Sequence, residues 1–298
     1  MSNYVLFKRE QIEAANAANL TSYLQSRGEK LLPSGHDRRL ASDHSVTIRG
    51  SKWYDHSSGE GGRAIDFVQR QYGLSFQDAV AELLNGAIHT PVPEPARRPF
   101  VLPTANGSMR RVFAYLVKQR GIDPSIVSFF AYARTLYEDA QYHNCVFVGT
   151  DENGVARHAH KRSTNSTGES FRQNIVGSDP RFSFHYAGTG DRLFVFEAPI
   201  DMLSYLTLYP SNWQKSNYVS LCGVGGQALF QMLDTHGYLR EVCLCLDSDE
   251  AGKHASDRLE AVLTEKDCTC TRLIPERKDW NDDLVATREH SIKIGGFA

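Results

Sequence analysis

From about residue 191 the chain alternates between short apolar runs and stretches with helical spacing. Leu193-Phe-Val-Phe196, Tyr218-Val-Ser-Leu-Cys222 and Val242-Cys-Leu-Cys-Leu246 are rich in aromatic, β-branched and small apolar residues, the mark of buried strands. The pattern predicts strands near 192–197, 217–222, 241–247 and 270–274, with helices near 200–209, 226–236 and 251–265. Strands that are apolar throughout, joined by short connections through helices, predict a mainly parallel four-stranded sheet covered on both faces. In such a sheet the chemistry collects at the carboxyl ends of the strands.

Upstream the pattern changes. Ile12, Ala15, Leu20 and Leu24 fall near helical spacing and predict two short helices within residues 5–30. Ser51-Lys-Trp-Tyr-Asp55 reads as a strand that runs into the glycine turn ending at Gly62. Ile65, Phe67, Val68 and Tyr72 form the inner side of a helix opening at Arg63, and Ser75 with Asp78 forms a capping-box start for the next. His89 to Pro103 carries five prolines and reads as a semi-extended linker, with Arg97 and Arg98 exposed on it. Arg110 to Gly121 reads as a helix closed by glycine; Asp123 and Pro124 then begin another as N-cap and first helical residue. Asn153-Gly154 between apolar and basic runs predicts a hairpin over 144–162. The expected domains are therefore 1–90, a linker at 91–103, an α+β segment at 104–190 and the α/β segment at 191–298.

Carboxylates follow the predicted strand ends. Glu197 and Asp201 come after the first, Asp247 and Asp249 after the third, and Asp279, Asp282 and Asp283 after the last. Brought together, such acids repel one another unless a cation neutralises them, and Mg²⁺ or Mn²⁺ suits an all-oxygen donor set. Aspartate is also a favoured helix N-cap, so Asp247 and Asp249 have a purely structural alternative. Asp283 has one too, in a turn packed by Trp280.

Glu197, Asp247-x-Asp249, the Leu221-Cys-Gly223 turn and Gly252 at the opening of a helix together resemble the Toprim domain of DnaG-type primases, topoisomerases and some nucleases. The resemblance spans roughly 191–285. Lys278-Asp279-Trp-Asn281-Asp282 is similar to the family's third acidic motif, except that Asn281 stands where a second acid is expected and Asp282 follows it. The resemblance implies that Asp247, Asp249, Asp279 and Asp282 hold Mg²⁺ or Mn²⁺. Glu197 would act as general base or as a further ligand, with Asp201 assisting. Tyr115-Leu-x3-Arg120-Gly121 resembles the opening of the primase catalytic core. Gly62-Arg-Ala-Ile-Asp-Phe-Val68 and Gly73-Leu-Ser-Phe-Gln-Asp-Ala-Val80 resemble the small zinc-ribbon-like domain at the front of those primases. The family's cysteines there fall on Asp55 and Ser58, and His36, His44 and His56 match no finger spacing, so no zinc is expected.

By resemblance, the chain is expected to be a primase-like nucleotidyltransferase that makes short primers on single-stranded DNA from NTPs or dNTPs. The rivals are a Toprim-type metal-dependent nuclease and a catalytically weak nucleic-acid-binding accessory protein. A topoisomerase would need a large gate that 298 residues cannot house. Compact chains of this kind suit plasmids, phages or other mobile elements. A helicase, or a replication or relaxase protein of the element, is the expected partner.

A net charge of −2 supplies no global basic field. Contacts to phosphates must then be local, and Arg110, Arg111, Arg157, Lys161, Arg162 and Lys278 are the candidates. Strand alternation puts Arg157 and Lys161 on one face with Ala159, and His158, His160 and Arg162 on the other. A charged edge strand that discourages aggregation is the alternative reading. The six cysteines contain no Cys-x2-Cys pair, and those in apolar runs read as small core hydrophobes. No apolar stretch is long enough to span a bilayer and no signal-peptide core is visible, so the expected setting is the cytoplasm, without a membrane partner.

Overall fold

A computed structural model describes residues 7–35, 37–56, 58–86, 99–165, 171–223, 225–266 and 268–295. His36, the linker through Arg97 and Arg98, and most of the polar loop after Asn165 lie outside them. The chain divides into two compact units, 1–97 and 98–298.

In the first unit α1 (Arg9–Asn16) and α2 (Leu20–Ser26) precede β1 (Leu31–Ser34), β2 (Asp37–Leu40), β3 (Val46–Arg49), β4 (Lys52–Asp55) and β5 (Gly61–Arg63). These strands form an antiparallel sheet in sequence order, followed by α3 (Ala64–Tyr72) and α4 (Phe76–Gly86). Leu20, Leu24, Ile48, Trp53, Ile65, Phe67 and Val68 share its core. Asp66 accepts the Arg63 backbone N–H at 2.9 Å and so starts α3. Asp55 and Ser58, the positions where the resemblance had led one to look for thiolates, are joined to each other. Ser58 Oγ donates to Asp55 Oδ2 at 2.9 Å, and Arg70 completes an ion pair with the same carboxylate. The Arg70 guanidinium also lies 4.8 Å from the Trp53 ring centre. A charge-assisted lock thus closes the turn at this place.

The second unit opens with α5 (Arg110–Phe113), which widens into a π-helical stretch, Ala114–Gln119. The expected single α-helix to Gly121 is corrected accordingly. The Arg120 N–H reaches the Tyr115 carbonyl at 3.0 Å, five residues back. Such bulges turn a side chain away from its α-helical direction. After α6 (Pro124–Tyr132), β6 (Leu136–Glu138), β7 (Cys145–Thr150), β8 (Ala156–Arg162) and β9 (Arg172–Asn174) form an antiparallel meander. Asp151 accepts the Asn153 and Val155 N–H groups at 3.0 and 2.9 Å and fixes the turn between β7 and β8.

β10 (His185–Tyr186), β11 (Arg192–Phe196), α7 (Pro199–Leu208), β12 (Asn217–Ser220), α8 (Gln227–Thr235), β13 (Glu241–Leu244), α9 (Glu250–Glu265), β14 (Thr269–Arg272) and α10 (Trp280–Gly295) complete the chain. The sheet order is β10-β12-β11-β13-β14. The last four strands in that order run parallel, and β10 pairs antiparallel with β12. The sheet therefore has five strands rather than the expected four. Two residues are too few for β10 to show an alternating pattern. Both faces are covered: Leu193, Val195, Val242 and Leu244 pack into one core, Phe194, Phe196, Cys243 and Cys245 into the other. No helix among the described residues is long and apolar enough to cross a membrane.

Phe196 is fully buried, its ring 5.3 Å from that of Tyr205 on α7. Phe196→Ala is expected to lower stability by about 3–5 kcal/mol, read as a shift in urea midpoint at unchanged slope. A loss below about 1 kcal/mol would contradict this packing.

Candidate active site

Three loops at the carboxyl ends of β11, β13 and β14 carry the acids. Glu197 directly follows β11 and is buried. Pro199 opens α7, which holds Asp201, also buried, in its first turn. Asp247 lies beyond β13, against Gly252; a Cβ on that glycine would stand 2.1 Å from the Asp247 carbonyl oxygen. Only glycine allows α9 to start this close. Asp249 is exposed and caps α9, accepting the Gly252 N–H at 3.0 Å. Ser248 Oγ donates to the Arg277 carbonyl at 2.6 Å, which ties this loop to the third. In the third loop the Asp279 carboxylate accepts the Asp282 N–H at 2.8 Å, and Trp280 Nε1 donates to the Cys245 carbonyl at 2.8 Å.

The acids act on one another through a shared field. Burial, then the charges of Asp247, Asp279 and Glu197, hold the Asp201 carboxyl well above the ordinary range. Asp247 is pushed up to about 7 by burial and by Glu197, Asp279 and Asp249. Burial also raises Glu197; Asp249 and Asp279 add to this, while Arg172 and Lys278 oppose it. Asp247 Oδ1 is buried and has no hydrogen-bond partner. Among the described residues no three His, Cys, Asp or Glu side chains stand close enough to complete a coordination shell. The donor chemistry nonetheless fits a hard divalent cation: all ligand atoms are oxygens, they repel one another, and one buried oxygen is unpaired.

A cleft of about 230 Å³ joins the acids to cations. Asp201, Asp247 and Asp279 line it together with Arg120, Arg162, Arg172 and Lys278. Glu197, Asp249 and Asp282 are not among its lining residues, although Arg172 Nη2 approaches Glu197 Oε1 at 3.6 Å. Arg162 and Lys278 are the sequence candidates that the fold brings to the cleft. Arg157 is paired with Asp151 at 2.8 Å. Lys161 sits between the Tyr142 and Phe171 rings, 5.5 and 5.9 Å from their centres. Arg110 and Arg111 are exposed and do not line the cleft.

Arg120, Arg172 and His160 were not visible as site residues in the sequence. The π-helical stretch aims Arg120, which donates to the Tyr115 hydroxyl at 2.9 Å and to Asn281 Oδ1 at 3.1 Å. Asn281 in turn donates to the Arg120 carbonyl at 2.7 Å and to Ser204 Oγ at 2.9 Å, so it works as a buried strut. Asp283 accepts the Glu276 and Arg277 N–H groups at 2.8 and 2.9 Å and shapes the turn.

Comparison with known proteins finds the following similarities. Residues 194–284 match the family described as Toprim-like, and 114–190 match one described as a protein of unknown function (DUF3991). An uncharacterized protein of Bacillus anthracis is 25% identical over 342 aligned positions, covering 98% of this chain and 94% of its own. Among solved structures, the primase fragment of the bacteriophage T7 primase-helicase protein is 13% identical with a TM-score of 0.47, covering 84% of this chain and 92% of its own. The Aquifex aeolicus primase, zinc-binding and RNA polymerase domains, is 15% identical with a TM-score of 0.40, covering 94% and 84%.

An acid whose folded pKa is raised costs stability as pH climbs, because the native state holds a proton that the unfolded chain has already released. For Asp247 the window runs from about 4, the ordinary carboxyl value, up to about 7. In the absence of divalent cations Asp247→Asn is expected to gain on the order of 1–2 kcal/mol over wild type at about pH 8 and nothing near about pH 4. Denaturant melts across that range check it; a gain independent of pH would contradict the shared field. Gly252→Ala is expected to displace the Asp247 loop and lower the melting temperature.

Proposed function

We propose, for a chain whose residues 194–284 form a Toprim-like domain, a primase-like nucleotidyltransferase that joins nucleotides on single-stranded DNA. The observation that carries this reading is one cleft with three carboxylates and four cationic side chains. Phosphoryl transfer asks for both: oxygens that neutralise and position, and cations that hold phosphates.

Arg120, Arg162, Arg172 and Lys278 bind triphosphate or template phosphates in this proposal, the arginines as forks and the lysine as a point charge. Glu197, with its raised pKa, accepts the proton of the attacking hydroxyl, and Arg172 steers its carboxylate. Asp247, Asp249 and Asp279 hold Mg²⁺ or Mn²⁺, with Asp282 and Asp201 as outer support; the ion, when bound, neutralises phosphate charge and lowers the pKa of an oxygen it holds. Burial and the neighbouring acids favour the protonated form of Asp201. The first unit serves as the nucleic-acid-binding domain, closed by the Asp55–Ser58–Arg70 lock rather than by zinc. The setting is the cytoplasm, with a helicase or a replication or relaxase protein of a plasmid or phage as partner.

Incubation of the full chain with single-stranded DNA, NTPs or dNTPs and Mn²⁺ tests the reading. Extension products are expected. Asp247→Ala and Arg172→Ala are each expected to cut extension on the order of a hundredfold. Degradation of the DNA without extension would transfer the same acids to a nuclease, and neither product would leave a binding protein. Stoichiometric zinc in the purified chain would overturn the metal-free first unit.

A further inference from the structure

Two arginines of the cleft share one oxygen. Arg120 Nε donates to the Tyr115 hydroxyl at 2.9 Å, and Arg162 Nε donates to the same hydroxyl at 3.2 Å. Tyr115 is 3% exposed and packs in the core that holds Phe147 and Phe196. Arg120 and Arg162 line the cleft; Tyr115 does not. The phenol therefore acts on the cleft only through the two arginines.

The local backbone makes this contact possible. Tyr115 and Arg120 are five residues apart, a spacing that in an α-helix sets side chains about 140° apart around the axis. The π-helical stretch Ala114–Gln119 removes that offset. Its turn closes with the Arg120 N–H on the Tyr115 carbonyl, and the Arg120 guanidinium comes to lie 5.2 Å from the Tyr115 ring centre. Widened turns of this kind are frequent at functional sites. Arg162 arrives separately, from the last position of β8.

The arrangement fixes direction and leaves charge uncompensated. Besides the phenol, Arg120 has an amide partner: its Nη1 donates to Asn281 Oδ1 at 3.1 Å. Both partners are neutral, and arginine keeps its proton at any working pH. Among the described residues neither guanidinium has a carboxylate within ion-pair distance, whereas Arg157 has Asp151 at 2.8 Å and Arg172 has Glu197 at 3.6 Å. Each of the two is anchored through Nε, which leaves outer N–H groups for a ligand. Two like charges held on either side of one oxygen call for an anion with more than one charge and two sets of acceptors.

We propose that Tyr115 is a positioning residue that sets Arg120 and Arg162 as twin forks for a diphosphate group, one fork for each of two phosphoryl groups joined through a shared oxygen. Pyrophosphate and the terminal phosphates of a nucleoside triphosphate both carry that group. Its assignment to a nucleotide rests on the proposed function; the diphosphate clamp does not. A single phosphate engages one fork and gains little from the alignment, so the phenol separates the two classes of anion.

Pyrophosphate and, separately, inorganic phosphate are titrated into the full chain by calorimetry with divalent cations chelated. Wild type is expected to bind pyrophosphate at least about tenfold more tightly than phosphate. Tyr115→Phe keeps the ring and removes the shared oxygen. Both arginines are half-buried, so water reaches the freed N–H groups and the variant should melt as wild type does. Its pyrophosphate affinity should fall about tenfold while its phosphate affinity stays level. Arg162→Lys keeps the charge and loses the fork; the same split is expected of it, which keeps the test open should Tyr115→Phe misfold. Equal affinity of wild type for the two anions would overturn the proposal. So would undiminished pyrophosphate binding in either variant, or a parallel fall for both anions. In the activity arm, Tyr115→Phe should raise the nucleotide KM about tenfold at nearly unchanged kcat. An unchanged KM would overturn the triphosphate assignment alone, and absence of extension from wild type would count against the polymerase reading while the pyrophosphate result stood.

Discussion

Like charge forced out of water is the constraint around which this molecule is arranged. Glu197, Asp201 and Asp247 each sit where burial and neighbouring acids favour the protonated form. Removing an isolated carboxylate from water costs several kcal/mol by general estimate, about as much as the packing of one large side chain returns. A fold keeps such groups only by holding their backbone elsewhere. Here the parallel sheet does so: its central strands β11 and β13 bury apolar side chains on both faces, and the acids sit in the loops and the first helical turn beyond the carboxyl ends of β11, β13 and β14.

The loops are then fastened by contacts that leave the acids little freedom. Gly252 lets α9 start directly against the Asp247 carbonyl. Ser248 binds the second acidic loop to the third, and Trp280 nails the third to β13. The opposing charges arrive from outside the sheet. Arg162 and Arg172 come from the antiparallel meander and Arg120 from the π-helical turn, so the cleft is an assembly of distant parts of one unit rather than a feature of the Toprim-like segment alone.

That division explains what the sequence made legible. Apolar runs of four or five residues separated by helical spacing have few alternative folds, so the four parallel strands and three helices between them could be read in advance. β10 could not, since two residues carry no period. The acids were legible because each group of them comes after a predicted strand, Glu197 directly after β11. Arg120 was hidden because its direction depends on an extra residue in a helical turn, which spacing does not announce. Arg172 was hidden because it follows a polar loop, and its approach to Glu197 depends on the docking of the meander. Arg157 and Arg162 were both phosphate candidates on opposite faces of one strand, and the pattern could not say that the neighbour of Arg157 in space is Asp151. Asn281 read as a departure from an acidic motif, standing where a second acid is expected; in place it is a strut between α7 and Arg120. Asp249 fulfils its capping alternative and still contributes to the field on Asp247.

The most direct test of a cation-demanding acid cluster is calorimetric titration of Mn²⁺ into the protein, repeated in buffers of different ionisation heat. The account predicts saturable binding that releases protons below about pH 7, because carboxyls held protonated must ionise to accept the metal. It also predicts that binding and proton release both weaken in Asp247→Asn. Binding of equal strength in that variant, or binding with no proton release near pH 6, would contradict it.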